Sequence, residues 1–351
     1  MVVKKHSMEF PRKVIVGEKT INNLGTFITE FSELKKKVII VSGPNVKNKF
    51  ENIVTESLEY SNILFSWEVI NNPNIENAEK ISKIASNEET SIIVGIGGGK
   101  AVDVSKLAAH LANRKFVSVP TSASHDGIAS PFVSIMGLEK PYSLVARPPI
   151  GILADIDIIK QAPQRLLSSG CGDLISKITA VKDWQLAEKD ANEYYGKYAA
   201  NLALMSTEIL FQKNSPINLQ NKESIRDLVE ALISTGVAAG IAGSSRPCSG
   251  SEHLISHALE KNNPLKGLHG EKCGIASIFI ARIQDGNWER IREALNKVGC
   301  PTNIKEIGLN REEFINAIEL APKLRNRYTI LTKKNLNRKD IESIIDETEI
   351  A

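Results

Sequence analysis

The strongest constraint on the fold is the alternation of short apolar runs with amphipathic stretches in the first half of the sequence. Runs rich in β-branched residues occupy 38–43, 63–70, 91–99, 115–124 and 151–159, and helical patterns separate the first four. Continuous apolar strands separated by helices are typical of a parallel sheet that is covered on both faces. This half therefore predicts a Rossmann-like α/β domain with loops gathered at the carboxyl ends of the strands.

The pattern changes after about residue 160, where β-branched runs become scarce. Long amphipathic stretches such as 224–242 and 251–261 have helical spacing. A chain of 351 residues is long enough for two domains. We therefore expect an α/β domain at 1–160 and an all-α domain at 161–351.

Bulk properties exclude several classes of protein. The formal net charge of +3 is small and forms no basic arm, which argues against a nucleic-acid partner. No apolar run reaches the roughly 18 residues of a membrane span, and no signal peptide precedes the first strand. The four cysteines form no CxxC pair, so neither a disulfide framework nor a zinc knuckle is expected. These observations predict a cytoplasmic protein.

The third run ends in the glycine-rich sequence GGGKAVDVSK, which begins a predicted helix. A strand, a glycine turn and a helix together direct backbone N–H groups towards an anion. The sequence departs from GxGxxG, because Lys100 holds the third glycine position, and from the P-loop, because Val94 holds the first. The alternative is a turn that merely lets the helix pack closely. The loop after the first run, SGPNV, has no carboxylate to bind a ribose hydroxyl, so NAD and NADP are both possible.

Three of the six histidines fall close together in the second half. His253 and His257 are four residues apart in a helical pattern and project from one face, whereas His269 is expected in a loop between glycines. Two imidazoles and one carboxylate are the usual ligands of a catalytic zinc. Asp173 is the candidate carboxylate, with a plain helix N-cap as its alternative. For His257, spacing leaves a third ligand, a substrate contact and no role all open.

Five motifs follow one another along the chain: GGGKAVDVSK, PTSASHDGIASP, GCGDLISK, SGSEHLISH and LHGEKCG. Their order resembles that of the glycerol dehydrogenase and dehydroquinate synthase-like superfamily. The stretches SHDGIASP, RPPIGILADIDII and NRYTIL more closely resemble the archaeal sn-glycerol-1-phosphate dehydrogenase family, and the resemblance runs from about residue 10 to 335. It implies a dehydroquinate synthase-like fold, with an N-terminal dinucleotide-binding domain and a helical metal- and substrate-binding domain.

The resemblance also implies roles for individual residues. Asp173, His253 and His269 match zinc ligands, one ion per subunit, and Asp173 is also near the substrate. Asp126 and His257 match substrate-contacting residues that take part in catalysis. The residues that match the NAD(H)- or NADP(H)-binding positions are Gly98, Gly99, Lys100, Ala101, Val102, Asp103, Thr121, Ser122, Ala123, Ser124 and Ser130.

The implied reaction is reversible, zinc-dependent reduction of dihydroxyacetone phosphate to sn-glycerol 1-phosphate, the backbone of archaeal ether phospholipids. His257, or a water that it holds, is a hypothetical proton donor. The implied partners are this small substrate and further copies of the chain. One alternative is an NAD-linked glycerol dehydrogenase. Another is a dehydroquinate synthase-type lyase, but that family carries Glu at the position of Asp173 and an NxGHT stretch that SGSEHL matches poorly. The metal is left open among zinc, nickel and iron.

Overall fold

A computed structural model describes residues 6–32, 37–87, 89–135, 144–212 and 217–351. Six strands form one parallel sheet, in the order β1-β8-β5-β4-β2-β3, and β6 and β7 form a separate antiparallel pair. The strands are β1 (Lys13–Gly17), β2 (Lys37–Ser42), β3 (Phe65–Val69), β4 (Thr90–Gly97), β5 (Lys115–Pro120), β6 (Phe132–Val133), β7 (Leu144–Val145) and β8 (Gly151–Asp155).

The register of the sheet brings the ends of the central strands to one edge. Ser42 pairs with Ile96, and Gly97 pairs with Pro120, so β2, β4 and β5 end side by side. The loops that follow these strands therefore leave the sheet together, as the sequence predicts. Both faces of the sheet are covered, one by α1 (Leu24–Thr29) and α2 (Pro44–Tyr60) and the other by α3 (Ile75–Asn87) and α4 (Gly99–Leu111).

Helices make up the rest of the described chain, and no strand follows Asp155 within those residues. Their apolar faces enclose one large core, which includes Phe279 and Phe314 and also contacts β8 through Ile152. The helices are α1 (Leu24–Thr29), α2 (Pro44–Tyr60), α3 (Ile75–Asn87), α4 (Gly99–Leu111), α5 (Ile156–Ile159), α6 (Gln164–Ile175), α7 (Lys177–Ala191), α8 (Lys197–Thr207), α9 (Lys222–Ala242), α10 (Ser251–Asn262), α11 (His269–Ile283), α12 (Trp288–Lys297), α13 (Arg311–Leu324), α14 (Ile330–Lys334) and α15 (Arg338–Glu347).

The predicted fold class is confirmed, with a parallel α/β part followed by a helical part. The boundary at residue 160 stays a prediction. The run predicted as a strand over 151–159 is only half strand. Asp155 ends β8 and accepts hydrogen bonds from the N–H groups of Asp157 and Ile158, which begins the short helix α5. Strand β1 was not predicted, and none of the described helices is long and apolar enough to cross a membrane.

Candidate metal and cofactor site

Four side chains from three helices converge on one point. Asp173 of α6, His253 of α10, and His269 and Cys273 of α11 each place a donor atom within 4.8 Å of the others. Nε2 of His253 is 3.5 Å from Oδ1 of Asp173, and Nε2 of His269 is 3.6 Å from Sγ of Cys273. The structure thus brings together the three predicted ligands and adds a thiol. Such a donor set fits a zinc-like metal ion.

Close contact between α6 and α11 brings two of these donors together. A Cβ added to Gly172 would lie 2.2 Å from the carbonyl oxygen of Gly270, and one added to Gly270 would lie 1.8 Å from that of Ser169. Only glycines allow the two helix backbones to approach so closely. Asp173 follows the first glycine and His269 precedes the second, so the packing of the glycines positions both donors.

This packing corrects two local predictions. Asp173 lies near the end of α6 rather than at its start, so the N-cap alternative is wrong. His269 is the first residue of α11 rather than a loop residue. In both places the neighbouring glycines predict a helix start or a loop, whereas in the structure they allow contact between helices.

Each imidazole of the donor cluster also contacts a carboxylate through its Nδ1 atom. Oε1 of Glu252 lies 2.8 Å from Nδ1 of His253, and Oε1 of Glu260 lies 2.9 Å from Nδ1 of His269. An imidazole that donates its Nδ1 proton to a carboxylate keeps the lone pair of Nε2 for a metal. Glu252 is fully buried and also accepts hydrogen bonds from the N–H of Gly250 and the hydroxyl of Thr179. Both imidazoles are therefore oriented for metal binding.

Lys177 balances charge beneath the site. Its fully buried ammonium group lies 2.8 Å from Oδ1 of Asp173 and 3.0 Å from Oδ2 of Asp126. Burial opposes the charge on Lys177, but the two carboxylates outweigh it and raise the pKa of the ammonium. Burial likewise disfavours ionised Asp173, yet Lys177 and His253 hold its pKa well below the usual range. Lys177 and His253 therefore favour the ionised form of Asp173.

Cys273 brings a thiol to this cluster that the sequence analysis does not predict. Burial would raise the pKa of its thiol, but His253 and His269 outweigh burial and lower the pKa to about 7. The signal was present in the sequence, because Cys273 follows His269 by four residues and so shares its helix face. A search for CxxC pairs overlooks that spacing. Glu252 and Glu260 were also missed, although both are neighbours of the predicted histidines in the sequence.

His257 lies beside the donor cluster without belonging to it. Its ring centroid is 6.3 Å from that of His253 and 6.1 Å from that of His269. Nδ1 of His257 is 3.3 Å from Oε2 of Glu260, the carboxylate that also contacts His269. Burial lowers the pKa of His257 despite Glu260, so the imidazole is largely neutral near pH 7.

The predicted cofactor residues gather at the carboxyl edge of the sheet. Gly98 is the N-cap of α4, and Gly99 and Lys100 are its first two residues. A Cβ added to Gly99 would lie 1.8 Å from Nε2 of His125, so the His125 ring covers the glycine turn. The N–H of Thr121 donates to the carbonyl oxygen of Gly97 over 2.9 Å, which joins the second predicted loop to the first.

One serine at this edge has an unused hydroxyl. Oγ of Ser122 is buried and has no hydrogen-bond partner, and it lies 3.2 Å from a Cβ added to Gly98. A buried hydroxyl without a partner is costly unless a ligand satisfies it. Together with the N–H groups of Gly99 and Lys100 at the start of α4, it fits a cofactor with a phosphate backbone. Ala123, Ala101 and Val102 are buried around this turn, whereas Ser124 is partly exposed.

The remaining predicted cofactor residues brace the loop that links the two sites. The buried carboxylate of Asp103 accepts a hydrogen bond from the N–H of Ser134 and lies 3.4 Å from the ammonium of Lys106. Lys106 donates to the carbonyl oxygens of Gly127 and Phe132. Ser130 is buried in the same loop, where its Oγ accepts from the N–H of Phe132.

The same loop reaches the donor cluster. The N–H of Asp126 donates to Oδ2 of Asp173 over 2.9 Å. The rings of His125 and His269 are 6.3 Å apart between centroids. The glycine turn and the donor cluster therefore face one another across the loop that follows β5. A nicotinamide cofactor and a metal ion held at these two places would be neighbours.

Comparison with solved structures defines the class of protein. Glycerol dehydrogenase from Schizosaccharomyces pombe superposes with a TM-score of 0.80 at 21% identity, over 99% of this chain and 91% of that one. A structure described as an iron-containing alcohol dehydrogenase superposes with a TM-score of 0.71 at 17% identity, over 98% and 99%. The iron-containing alcohol dehydrogenase family model also matches residues 15–163. The chain thus has the fold of these dehydrogenases.

Sequence relatives narrow the family. The glycerol-1-phosphate dehydrogenase [NAD(P)+] of Nitrosopumilus maritimus is 48% identical over 349 residues, covering 99% of this chain and 98% of the relative. That of Aeropyrum pernix is 42% identical over 351 residues, covering 100% of both. The chain therefore belongs to the glycerol-1-phosphate dehydrogenase family, which confirms the resemblance in the sequence.

Proposed function

We propose that this chain catalyses the reversible, NAD(P)H-dependent reduction of dihydroxyacetone phosphate to sn-glycerol 1-phosphate, with zinc as its metal. The observation that carries the proposal is the donor cluster of Asp173, His253 and His269 facing the glycine turn at Gly97–Gly99. The names of the relatives supply the substrate and the nicotinamide cofactor. Neither feature alone would define a dehydrogenase.

Asp173, His253 and His269 would hold the metal, with Glu252 and Glu260 orienting the two imidazoles. Bound there, zinc would supply a Lewis acid for the substrate oxygen. Lys177 holds Asp173 ionised and fixes its orientation, while Asp126 lies beside the same ammonium with 18% of its side chain exposed. We place Asp126 and Asp173 next to the substrate, at the open side of the donor cluster.

For the cofactor, the first turn of α4 and the loop Thr121–Ser124 would bind the pyrophosphate and ribose groups. The nicotinamide, when bound, supplies the hydride. Asp103 and Lys106 hold the intervening loop against α4, so both loops keep their positions relative to the metal donors. The first turn of α2 carries no acidic residue, which is compatible with either NAD or NADP.

His257 would carry the proton. With its Nδ1 proton directed at Glu260, neutral His257 has a free lone pair on Nε2 that can accept the hydroxyl proton of sn-glycerol 1-phosphate. The positive ring would then be stabilised by Glu260. In the reverse direction the same Nε2 returns the proton. We expect His257→Ala to lower kcat by about 10²- to 10⁴-fold while metal content is unchanged, and full turnover would remove His257 from the proton route.

Substrate choice tests the proposal directly. Purified, zinc-loaded protein would be assayed with dihydroxyacetone phosphate and with dihydroxyacetone, using NADH and NADPH in turn. We expect the phosphate ester to be strongly preferred, and the product to be inert to an enzyme specific for sn-glycerol 3-phosphate. Preference for dihydroxyacetone would instead indicate a glycerol dehydrogenase. Activity unchanged after complete metal removal would contradict the metal site.

In a cell, this product would supply the glycerophosphate backbone of archaeal ether phospholipids. That role agrees with the archaeal source of the relatives named above. Cytoplasmic location and homo-oligomeric assembly stay predictions. Feeding labelled dihydroxyacetone phosphate to an extract of the source cells, with and without the enzyme, would test the supply of lipid precursor.

A further inference from the structure

The thiol of Cys273 lies among the proposed metal ligands, but the proposed function gives it no part in holding the metal. It is fully buried on α11, one turn after His269. Its Sγ is 3.6 Å from Nε2 of His269 and within 4.8 Å of a donor atom of Asp173 and of His253. The other three cysteines, Cys171, Cys248 and Cys300, are also buried, but none joins this cluster within the described part of the chain.

We propose that Cys273 binds the metal of this site as a fourth protein donor. The inference rests on the proposed function, because it needs a metal at Asp173, His253 and His269. On binding, the thiol would lose its proton to solvent and the thiolate sulfur would form the new bond, with no change in oxidation state.

The spacing of the donors supports this assignment. In a tetrahedral zinc site with Zn–S of about 2.3 Å and Zn–N of about 2.0 Å, sulfur and nitrogen are separated by about 3.5 Å. The Cys273–His269 separation of 3.6 Å agrees with that value. The 3.5 Å between Nε2 of His253 and Oδ1 of Asp173 is close to the separation of about 3.3 Å that two donors at about 2.0 Å have in the same geometry. The helix α11 sets the first of these distances, because residues four apart lie on the same face.

A thiolate donor changes both the metal preference and the coordination of the site. Sulfur ligands favour zinc over harder ions such as manganese, which prefer oxygen. A fourth protein donor would also hold the ion more firmly than Asp173, His253 and His269 alone. Cys273 would therefore govern metal retention and metal choice more than it governs substrate affinity.

Cobalt substitution gives a direct test. Apo protein would be loaded with Co(II), because a cobalt–thiolate bond gives an intense near-ultraviolet charge-transfer band that imidazole and carboxylate do not. We expect this band in the wild type and in Cys300→Ala, and its loss in Cys273→Ala and Cys273→Ser. Cys300 is the matched control because its buried thiol also lies at the α6–α11 contact, 3.0 Å from a Cβ added to Gly172. Zinc affinity, measured by chelator competition, should fall more than about tenfold in both Cys273 variants, and manganese affinity should fall less.

A second measurement uses the wild-type protein alone. Zinc-edge X-ray absorption of the wild type should show one sulfur neighbour at about 2.3 Å besides nitrogen and oxygen at about 2.0 Å. Visible cobalt bands without the near-ultraviolet band, or a zinc shell without sulfur, would overturn the role of Cys273 and leave the three-ligand site standing. A wild type that binds neither metal would overturn the proposed metal site as well.

Discussion

The sheet part and the helical part of this protein build their halves of the site in different ways. At the edge of the sheet, the groups offered to a ligand are mostly backbone N–H groups and a serine hydroxyl, placed by strand ends and a glycine turn. In the helical part they are charged or ionisable side chains from α6, α10 and α11, and Lys177, Glu252 and Glu260 each orient one of them. The first half depends on the path of the backbone, whereas the second depends on how helices pack.

This difference predicts that substitutions can impair metal binding and cofactor binding separately. Changes to helix-borne side chains should remove the metal while the nicotinamide cofactor still binds. Changes at the sheet edge should weaken cofactor binding while the metal stays. Each variant below is therefore to be measured for both metal content and cofactor affinity, the latter by NADPH fluorescence titration.

His253→Ala should have the largest effect. Loss of an imidazole donor removes Lewis-acid stabilisation worth several kcal/mol, so kcat/KM should fall by about 10³-fold or more. Metal content should fall with it, while NADPH affinity changes by less than about tenfold. The matched control is His110→Ala, which removes an exposed histidine from α4. Retention of full metal content in His253→Ala would contradict the assignment of metal binding to the side chains of the helical part.

Gly99→Ala should weaken cofactor binding at the edge of the sheet. Its new methyl group would meet the His125 ring, and overpacking of this kind costs about 1–3 kcal/mol. If the turn moves to relieve the clash, NADPH affinity should fall by about 10- to 100-fold with metal content unchanged. In a double-mutant cycle, combining Gly99→Ala with His125→Ala should recover part of that affinity relative to the single variants. Additive losses would show that the contact with His125 is not the cause.

Glu252→Gln should weaken metal binding indirectly, through the orientation of His253. Replacing a carboxylate that orients a ligating histidine lowers metal affinity by about 10- to 100-fold. The amide keeps the size of the side chain and can still accept from the hydroxyl of Thr179. Glu319→Gln, an exposed change on α13, serves as the control. Equal zinc affinity in the two variants, measured by chelator competition, would leave Glu252 with a structural role only.

Ser122→Ala should have the smallest effect. Its buried hydroxyl has no partner within the protein, so its removal should not lower the Tm. A lost hydrogen bond to the cofactor is worth about 0.5–1.5 kcal/mol, so NADPH affinity should fall by up to about tenfold. Ser118→Ala is the control, because this hydroxyl is also buried and without a partner but lies within β5. Equal NADPH affinity in both variants would exclude Ser122 from the cofactor site.

The same comparison explains what the sequence could predict. Strands, the glycine turn and the shared face of His253 and His257 are local patterns, and the structure confirms them. Asp173 and His269 come together only through contact between α6 and α11, which no local pattern encodes. Local reasoning proposed Asp173 with an N-cap as its alternative, and only the family resemblance favoured the metal ligand. Local reasoning, which treats glycine as a sign of a turn or cap, placed both residues wrongly within their elements.

The glycine contact between α6 and α11 has an evolutionary consequence. Because the backbone at Gly172 touches that at Gly270, a larger residue at either position would separate the helices. We therefore expect natural selection to act on the two positions as one unit, although they are distant in the chain. Among relatives we expect both glycines to be inherited together wherever the aspartate and histidine beside them are kept. Lineages that lose one of them should also have lost the metal.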